Sequence, residues 1–386
     1  MKSFLAVLLI VLFAFQVQIK SQTDNSVYVQ DSTYILKMLY DVPATSVKDQ
    51  HRTGTCWDFA TVSFLESEIL REKGEVMDLS EMFIVRHTYP RKAGLYVRYH
   101  GAANFGPGGQ GHDATYVIEN FGIVPEDVYP GLEYGEEKHN HGELNAMLQA
   151  MLDNVIKKHN GRLTPKWDEA VAAVLDVYLG ELPESFSYVG NEYNALSFAG
   201  HTGLKAKDYI ELTSYNHHPF YERMILEVPD NWSNDLYYNV PLDDLIGIME
   251  NAFEKGYTVV WDGDVSDRYF AHSKGLALLP GEDLGEQEID SVFIVPFAQQ
   301  QVDQDKRQKA FDEQTSTDDH LMHLTGLYED ELGIKYYKTK NSWDTDSNKL
   351  GGYLYMSEPY LRLKTVAIMV HKDALPKDIA KKLALR

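Results

Sequence analysis

The sequence predicts an α+β fold, with helices concentrated in its first two thirds and strands in its last third. Helical periodicity supports the first part, because Phe59, Val62 and Leu65 recur at three-residue spacing. Alternation supports the second part, because Met322 and Leu324 are separated by a single residue, as on one face of a strand. With 386 residues and 44% hydrophobic residues, the chain can bury a sizeable core, either as two domains or as one large domain with insertions.

The segments divide into a helical part, an insertion and a β-rich part. Residues 22–130 contain a helix beginning near residue 56, a second helix over Leu79–Tyr89 that ends before Pro90, and a glycine loop. Residues 131–255 are predicted to be a mostly helical insertion, with amphipathic runs over Leu144–Lys158 and Lys166–Leu179.

Residues 256–386 supply the strand signals and a C-terminal helix. Strands are predicted over Ile334–Thr339 and Thr365–Val370. The polar stretch Gln299–Thr317 is predicted to be a surface excursion, and the residues after Pro376 form a short helix.

The charge balance excludes one class of partner. The chain carries 36 Lys and Arg residues against 58 Asp and Glu residues, a net charge of −22. Phosphate binding requires a basic surface, so nucleic acid is not expected as a partner. Anionic membrane surfaces repel such a chain, and no membrane association is expected once the amino-terminal segment is removed.

That segment, residues 1–21, has the features of a secretory signal peptide. A basic Lys2 precedes an apolar run from Phe4 to Phe15, and a small residue, Ser21, follows. The run is too short to favour a membrane span. Export to the periplasm or the extracellular space is therefore expected.

Cys56 is the one cysteine of the chain, so no internal disulfide is possible. A buried cysteine acting as a small hydrophobe is the simplest interpretation. However, turn residues precede Cys56 and a helix follows it, which places the thiol in the first helical turn, where the helix dipole favours thiolate. Gln50 lies on the preceding loop, and its amide can donate to an oxyanion beside the Cys56 backbone N–H.

A thiol nucleophile needs a base, and the base needs an orienting group. Among 14 histidines, His320 precedes a predicted strand, and Asn341 follows another strand 21 residues later. An asparagine there can accept from the imidazole, while the indole of Trp343 keeps water from that bond. Together with Gln50 and Cys56, these residues form a candidate catalytic set.

The order Gln50, Cys56, His320, Asn341 resembles the papain-type cysteine peptidases, and within them the bleomycin hydrolase/aminopeptidase C family. His320 lies 264 residues after Cys56, which is the wide spacing of that branch rather than the more usual 130–150. Two further segments are similar to that branch, namely Gly108-Gly109-Gln110 with the helix after it, and Lys255–Val265.

The resemblance implies a papain-like fold, with a helical half carrying the nucleophile helix, an antiparallel β half and a large helical insertion. It implies hydrolysis of peptide substrates without a cofactor or metal. The implied catalytic residues are the nucleophile Cys56, the general base and acid His320, the orienting residue Asn341 and the oxyanion donor Gln50. The implied substrate-binding glycines are Gly108 and Gly109, and the implied shielding or packing residues are Trp57 and Trp343. It also implies a hexameric homo-oligomer.

Whether the peptidase is an aminopeptidase or an endopeptidase stays open at this point. In the family, a C-terminal arm places its carboxylate in the cleft to hold the substrate amino group, and aminopeptidase activity is the first expectation. Here the chain after Pro376 is predicted to be a short helix, and packing of that helix on the surface would leave an open endopeptidase cleft. A non-catalytic peptide-binding protein of the same fold is a further alternative.

Other polar residues have weaker signals. No His-Glu-x-x-His motif occurs, and His139 with His141 and His217 with His218 are weak metal-ligand patterns. Asp58 opposes thiolate formation if it faces the cleft, but it lies far around the helix from Cys56. His323 is expected to point to the strand face opposite His320.

Overall fold

The computed structural model describes residues 25–159, 161–281, 284–285 and 289–385, so the predicted signal peptide, residues 1–21, lies outside the described residues. The helices are α1 (Cys56–Lys73), α2 (Glu81–Arg98), α3 (Gly111–Phe121), α4 (Gly142–Val155), α5 (Trp167–Leu179), α6 (Ala195–Thr202), α7 (Leu242–Glu254), α8 (Ile289–Val292), α9 (Gln304–Asp312), α10 (Glu358–Lys364) and α11 (Lys377–Lys382). The strands are β1 (Ser26–Tyr28), β2 (Ile35–Asp41), β3 (Phe186–Tyr188), β4 (Asn191–Tyr193), β5 (Tyr209–Thr213), β6 (Arg223–Ile225), β7 (Leu236–Asn239), β8 (Val259–Gly263), β9 (Phe270–Ala271), β10 (Leu276–Ala277), β11 (His320–Glu329), β12 (Lys335–Lys340), β13 (Tyr353–Ser357) and β14 (Thr365–His371).

The described strands form one 12-stranded sheet and one separate hairpin, β3–β4. The order of the large sheet is β6-β7-β5-β14-β8-β11-β12-β13-β10-β9, and β2 pairs with β11 and carries β1. All pairings are antiparallel except β5 with β7 and β10 with β13. The predicted α+β class is confirmed, with a mainly antiparallel sheet and helices on both of its faces.

Helices cover both faces of the centre of this sheet. On one face, Val260 and Leu321 join the core of α1 to α6. On the other face, Trp261 and Met322 join the core of α7 and α11. The alternation of β11 predicted a strand that is buried on one side only. Because successive side chains point to opposite faces and helices cover both, β11 is instead buried along nearly its whole length.

Helix α1 follows its sequence pattern. It begins at Cys56, and Gly74 ends it with a left-handed φ of 71°, donating its N–H to the Leu70 carbonyl. Glycine adopts this conformation without steric cost, which explains why the helix stops there. The nucleophile candidate is thus the first residue of an 18-residue helix.

Helix α2 differs from its prediction, because it continues through Pro90 to Arg98. A proline inside a helix costs about 3 kcal/mol. Burial of Phe83 and Tyr89 before the proline and of Tyr96 after it offsets this cost, at about 2 kcal/mol for each large side chain. Tertiary packing therefore overrides the local stop signal.

The middle of the chain also differs from its prediction. Residues 131–255 begin with helices α4 to α6, as expected, but β5, β6 and β7 join the large sheet and α7 packs on it. The stretch Gln299–Thr317 contains α9, and its Arg307 is buried, donating to the Ser214 and Arg362 carbonyls. The strands β5, β6 and β7 are at most five residues long and α9 is mostly polar, so long-range packing rather than a local pattern determines their structure.

The C-terminal helix lies far from the nucleophile. Ile379, Ala380 and Leu383 are buried in the core shared with α7, and Leu385 packs against it. This core is on the sheet face opposite α1. Within the residues that the structure covers, no helix combines the length and apolar character needed to cross a membrane.

Candidate active site

Cys56 is the first residue of α1, and it is half-buried. The Thr55 carbonyl accepts from the backbone N–H groups of Asp58 and Phe59, which closes the first turn. Within the described chain, the Cys56 N–H forms no hydrogen bond, as expected for the first amide of a helix. The partly exposed thiol therefore stands beside a free donor.

Gln50 is held by the loop that follows β12. Its backbone N–H donates to the Ser342 carbonyl (2.9 Å), and its Oε1 accepts from the Ser342 hydroxyl (2.6 Å). Because Oε1 is engaged, Nε2 is the atom left to donate, and it has no partner among the described residues. Gln50 is 7% exposed, so its orientation is well defined by packing.

His320 and Asn341 form the hydrogen bond that the sequence predicts. The His320 Nε2–H donates to Asn341 Oδ1 (2.8 Å), which leaves Nδ1 as the basic atom of a neutral ring. Trp343 lies against the imidazole with ring centroids 5.0 Å apart. Burial lowers the pKa of His320 to about 4, although the bond to Asn341 opposes this shift.

His272 extends this chain of hydrogen bonds and was missed by the sequence interpretation. Its Nδ1 accepts from the Asn341 amide (3.2 Å), and its Nε2 pairs with the Ser347 hydroxyl (2.8 Å). His272 also makes an edge contact with Trp343, at 5.0 Å between centroids. It lies 48 residues from His320 in no recognisable motif, so no local signal could have found it.

The glycine loop packs on the nucleophile helix. The Trp57 indole donates to the Pro107 carbonyl (2.9 Å), and its ring lies 2.9 Å from where a Cβ on Gly109 would stand. The Gly108 carbonyl accepts from the buried Lys92 ammonium. Only glycine fits the position next to Trp57, which explains the residue type in this loop.

Burial and nearby carboxylates oppose ionisation of the thiol. Burial raises the pKa of Cys56 to about 12, and Asp318, Asp230 and Asp262 add to the rise. The Leu321 backbone N–H, acting as a donor to sulfur, opposes it. This differs from the expectation that the helix N-terminus would favour thiolate, since desolvation outweighs the dipole here.

Asp58 does not contribute to the cleft. It is fully buried, and neither carboxylate oxygen has a hydrogen-bond partner among the described residues. Burial and then the charge of Glu81 raise its pKa well above the ordinary value, which favours the neutral acid. The charges that act on it most strongly are those of Glu81 and Lys48, which do not belong to the proposed catalytic set.

The remaining histidine candidates lie outside this constellation. His323 faces α1, with its Nδ1 2.8 Å from the Ser63 hydroxyl, as the strand alternation predicts. His217 and His218 both pair with Glu227, at 3.2 and 2.7 Å. The rings of His139 and His141 contact each other at 5.8 Å between centroids, and burial lowers the pKa of each to about 4.

A groove of about 770 Å³ begins next to the site. Asp49 and His51, on either side of Gln50, line it together with Trp343. Its far wall comes from the segment around His139 and from Tyr178 of α5. Trp343 therefore connects the groove to the His320 side of the site, and the residues lining the groove do not include the glycine loop.

The chain is similar to known peptidases. A model of the "Peptidase C1-like family" matches residues 96–385, a range that includes His320 and Asn341 and begins after Cys56. Aminopeptidase G of Lactobacillus delbrueckii subsp. lactis is 23% identical over 383 residues, covering 88% of this chain and 83% of the relative. Mitochondrial cysteine proteinase 1 of Saccharomyces cerevisiae (strain YJM789) is 21% identical, covering 90% of this chain and 79% of the relative.

A solved structure shares the fold. The crystal structure of PepW from Lactobacillus rhamnosis HN001 matches with a TM-score of 0.70 at 19% identity, covering 90% of this chain and 85% of that one. At this identity the match concerns the fold alone. It agrees with the papain-like architecture expected from the sequence.

Proposed function

The chain belongs to the Peptidase C1-like family, and on that premise we propose that it is a cysteine aminopeptidase with Cys56 as nucleophile. The observation that carries the assignment of the site is the hydrogen bond from His320 Nε2 to Asn341 Oδ1, which leaves Nδ1 as the base at the start of β11. The names of the relatives support the aminopeptidase activity.

The residues support an acyl-enzyme mechanism. His320 Nδ1 takes the thiol proton as Cys56 attacks the substrate carbonyl, which leaves an imidazolium beside the tetrahedral oxyanion. The Cys56 N–H and the Gln50 amide stabilise the oxyanion. The imidazolium then protonates the leaving amine, and water hydrolyses the thioester with His320 again as base.

The groove beside Trp343 supports a position for the leaving chain. Trp343 contacts His320, the residue that protonates the leaving amine, and also lines the groove. We therefore place the peptide on the carboxyl side of the cleaved bond in this groove, where its open space accepts substrates of several residues.

An endopeptidase is the second candidate. The observation that favours it is the position of α11, whose residues up to Leu385 pack on the sheet face opposite α1. The described part of this C-terminal segment thus supplies no group to the cleft. The two candidates differ in whether a free substrate amino group is required.

Cleavage of matched peptides with free and acetylated amino termini tests the proposal. We expect cleavage of the free peptide and a large loss on acetylation, whereas equal cleavage of both would mean an endopeptidase. His320→Ala should lower kcat by about 10⁴-fold or more and slow alkylation of Cys56 by iodoacetamide. The exposed His159→Ala is the control, and a His320→Ala enzyme as active as this control would overturn the assignment.

Two properties stay proposals from the sequence alone. We propose export through residues 1–21 and a hexameric homo-oligomer, as the resemblance implies. Amino-terminal sequencing of the mature protein tests the first, and its mass in solution tests the second.

A further inference from the structure

Carboxylates border the thiol on the side of the glycine loop. Asp318, Asp230 and Asp262 are the three charged residues that most affect Cys56. The Gln110 amide, immediately after the glycine pair, donates to Asp318 Oδ2 (2.9 Å). These side chains therefore lie where a substrate bound along the glycine loop would present its amino end.

Asp230 lies against the loop itself. Its carboxylate occupies the space that a Cβ on Gly108 would need, and Asn104 donates to its Oδ1 (3.0 Å). The charge of Lys92 also acts on Asp230 and opposes the effect of burial on its pKa. Asp230 thus has stabilising partners of its own.

Asp262 does not share the two partners of Asp230, since neither Asn104 nor Lys92 is among the groups that most affect it. It is 2% exposed, and neither of its oxygens has a hydrogen-bond partner among the described residues. It is two residues after Val260 on β8, so it points to the α1 face of the sheet, toward the site. A buried polar group without a partner is rare and costs free energy, which indicates that something else completes the site.

Asp318 and Asp262 are neighbouring carboxyl groups without a counterion among the described residues. Within the described chain, neither forms an ion pair, and the residue charges that most affect Asp318 are those of Asp230 and Asp319. Burial and this repulsion raise the pKa of Asp318 to about 7 and that of Asp262 well above its ordinary value. A cation placed between the two carboxyls would relieve this repulsion and favour the ionised form of both.

We propose that Asp318, backed by Asp262 and assisted by Asp230, binds the α-ammonium group of the substrate's first residue. The inference deepens the proposed aminopeptidase function and depends on it. Bond lengths place an α-nitrogen about 2.5 Å from the carbonyl carbon of its own residue, so an ammonium must bind very close to the attacking sulfur. The bound cation also offsets the carboxylates that oppose thiolate formation, so a substrate with a free amino group assists its own cleavage.

The same carboxylates have the chemistry to bind a lysine side chain on the second residue before the cleaved bond. The test therefore distinguishes an α-ammonium group from a lysine ammonium group. The test uses three substrates: the anilide of alanine with a free amino group, the anilide of acetyl-alanine, and the anilide of acetyl-lysyl-alanine. The variants are Asp318→Asn and Asp262→Asn, and Asp319→Asn is the matched control. Asp319 is the neighbouring carboxylate, and its hydrogen bonds run to Ser266 and Thr317.

For wild type we expect efficient cleavage of the free alanine anilide only. Asp318→Asn should lower kcat/KM for that substrate on the order of 100-fold, as for loss of one partner of a close charge pair, and Asp262→Asn should act in the same direction. Residual cleavage of the acetylated anilide should not fall, which distinguishes a lost anchor from misfolding. Asp319→Asn should retain the wild-type ratio of the two rates.

Two results would overturn the inference without contradicting peptidase activity. One is a wild-type preference for the free amine that survives both Asp318→Asn and Asp262→Asn. The other is preferred cleavage of the acetyl-lysyl substrate that depends on Asp318, since the site would then read a side chain. Equal wild-type cleavage of free and acetylated alanine would instead contradict the proposed function itself.

Discussion

The histidine side and the cysteine side of the site differ in how complete they are. On the histidine side, hydrogen bonds connect His320 through Asn341 and His272 to Ser347. On the cysteine side, the thiol stands near carboxylates that lack a counterion within the described chain. The imidazole is therefore already oriented by hydrogen bonds, whereas the proposal above makes the nucleophile fully active only with a cation bound.

The electrostatics of the two sides follow the same division. Burial lowers the pKa of His320 to about 4 and raises that of Cys56 to about 12, so it favours the neutral form of both groups. Desolvation acts on both, but only the thiol also has anionic neighbours. Three substitutions test how far this comparison holds.

Gln50→Ala has the largest expected effect, since it removes an oxyanion donor from the cysteine side. Loss of such a donor costs about 10²- to 10³-fold in kcat. Ser342→Ala is the matched control, because it removes the hydroxyl that orients Gln50 Oε1 but keeps the amide, and it should cost far less. Steady-state kinetics would contradict the role of Gln50 if the two variants behaved alike.

His272→Ala should have an intermediate effect, because it breaks the histidine side behind Asn341 without touching substrate. Losing one hydrogen bond of about 1 kcal/mol predicts a roughly fivefold lower kcat. KM should stay unchanged, and His272→Gln, which keeps an acceptor, should restore part of the rate. A change in KM alone would show that His272 positions substrate rather than Asn341.

Asp58→Asn should have the smallest effect on activity and a measurable effect on stability. The folded state binds the Asp58 proton more tightly than the unfolded state, so wild-type stability falls as pH rises above the ordinary carboxyl pKa. Asparagine does not titrate, and the variant should gain about 1 kcal/mol over wild type at pH 9 and less at pH 4. Thermal unfolding at both pH values measures this, with the exposed Asp346→Asn as control; equal gains at both would disprove a buried titrating Asp58.

Local patterns predicted the elements that carry the proposed chemistry. Helix α1 begins at Cys56 and ends before Gly74 because turn residues and a glycine specify both ends. The His320–Asn341 pair was predictable because each residue stands at a strand boundary next to a distinctive motif. By contrast, α2 passes through Pro90, since burial on distant helices outweighs the local cost.

By itself, the sequence determined the α+β class, the nucleophile helix and the candidate order Gln50, Cys56, His320, Asn341. Only the tertiary structure decided what surrounds them. His272 comes from a short 3₁₀ helix between β9 and β10, and Asp230 lies 88 residues before Asp318 in the chain. Such groups have no mutual spacing to detect, because the folding of separate segments onto one sheet, not local periodicity, brings their charges together.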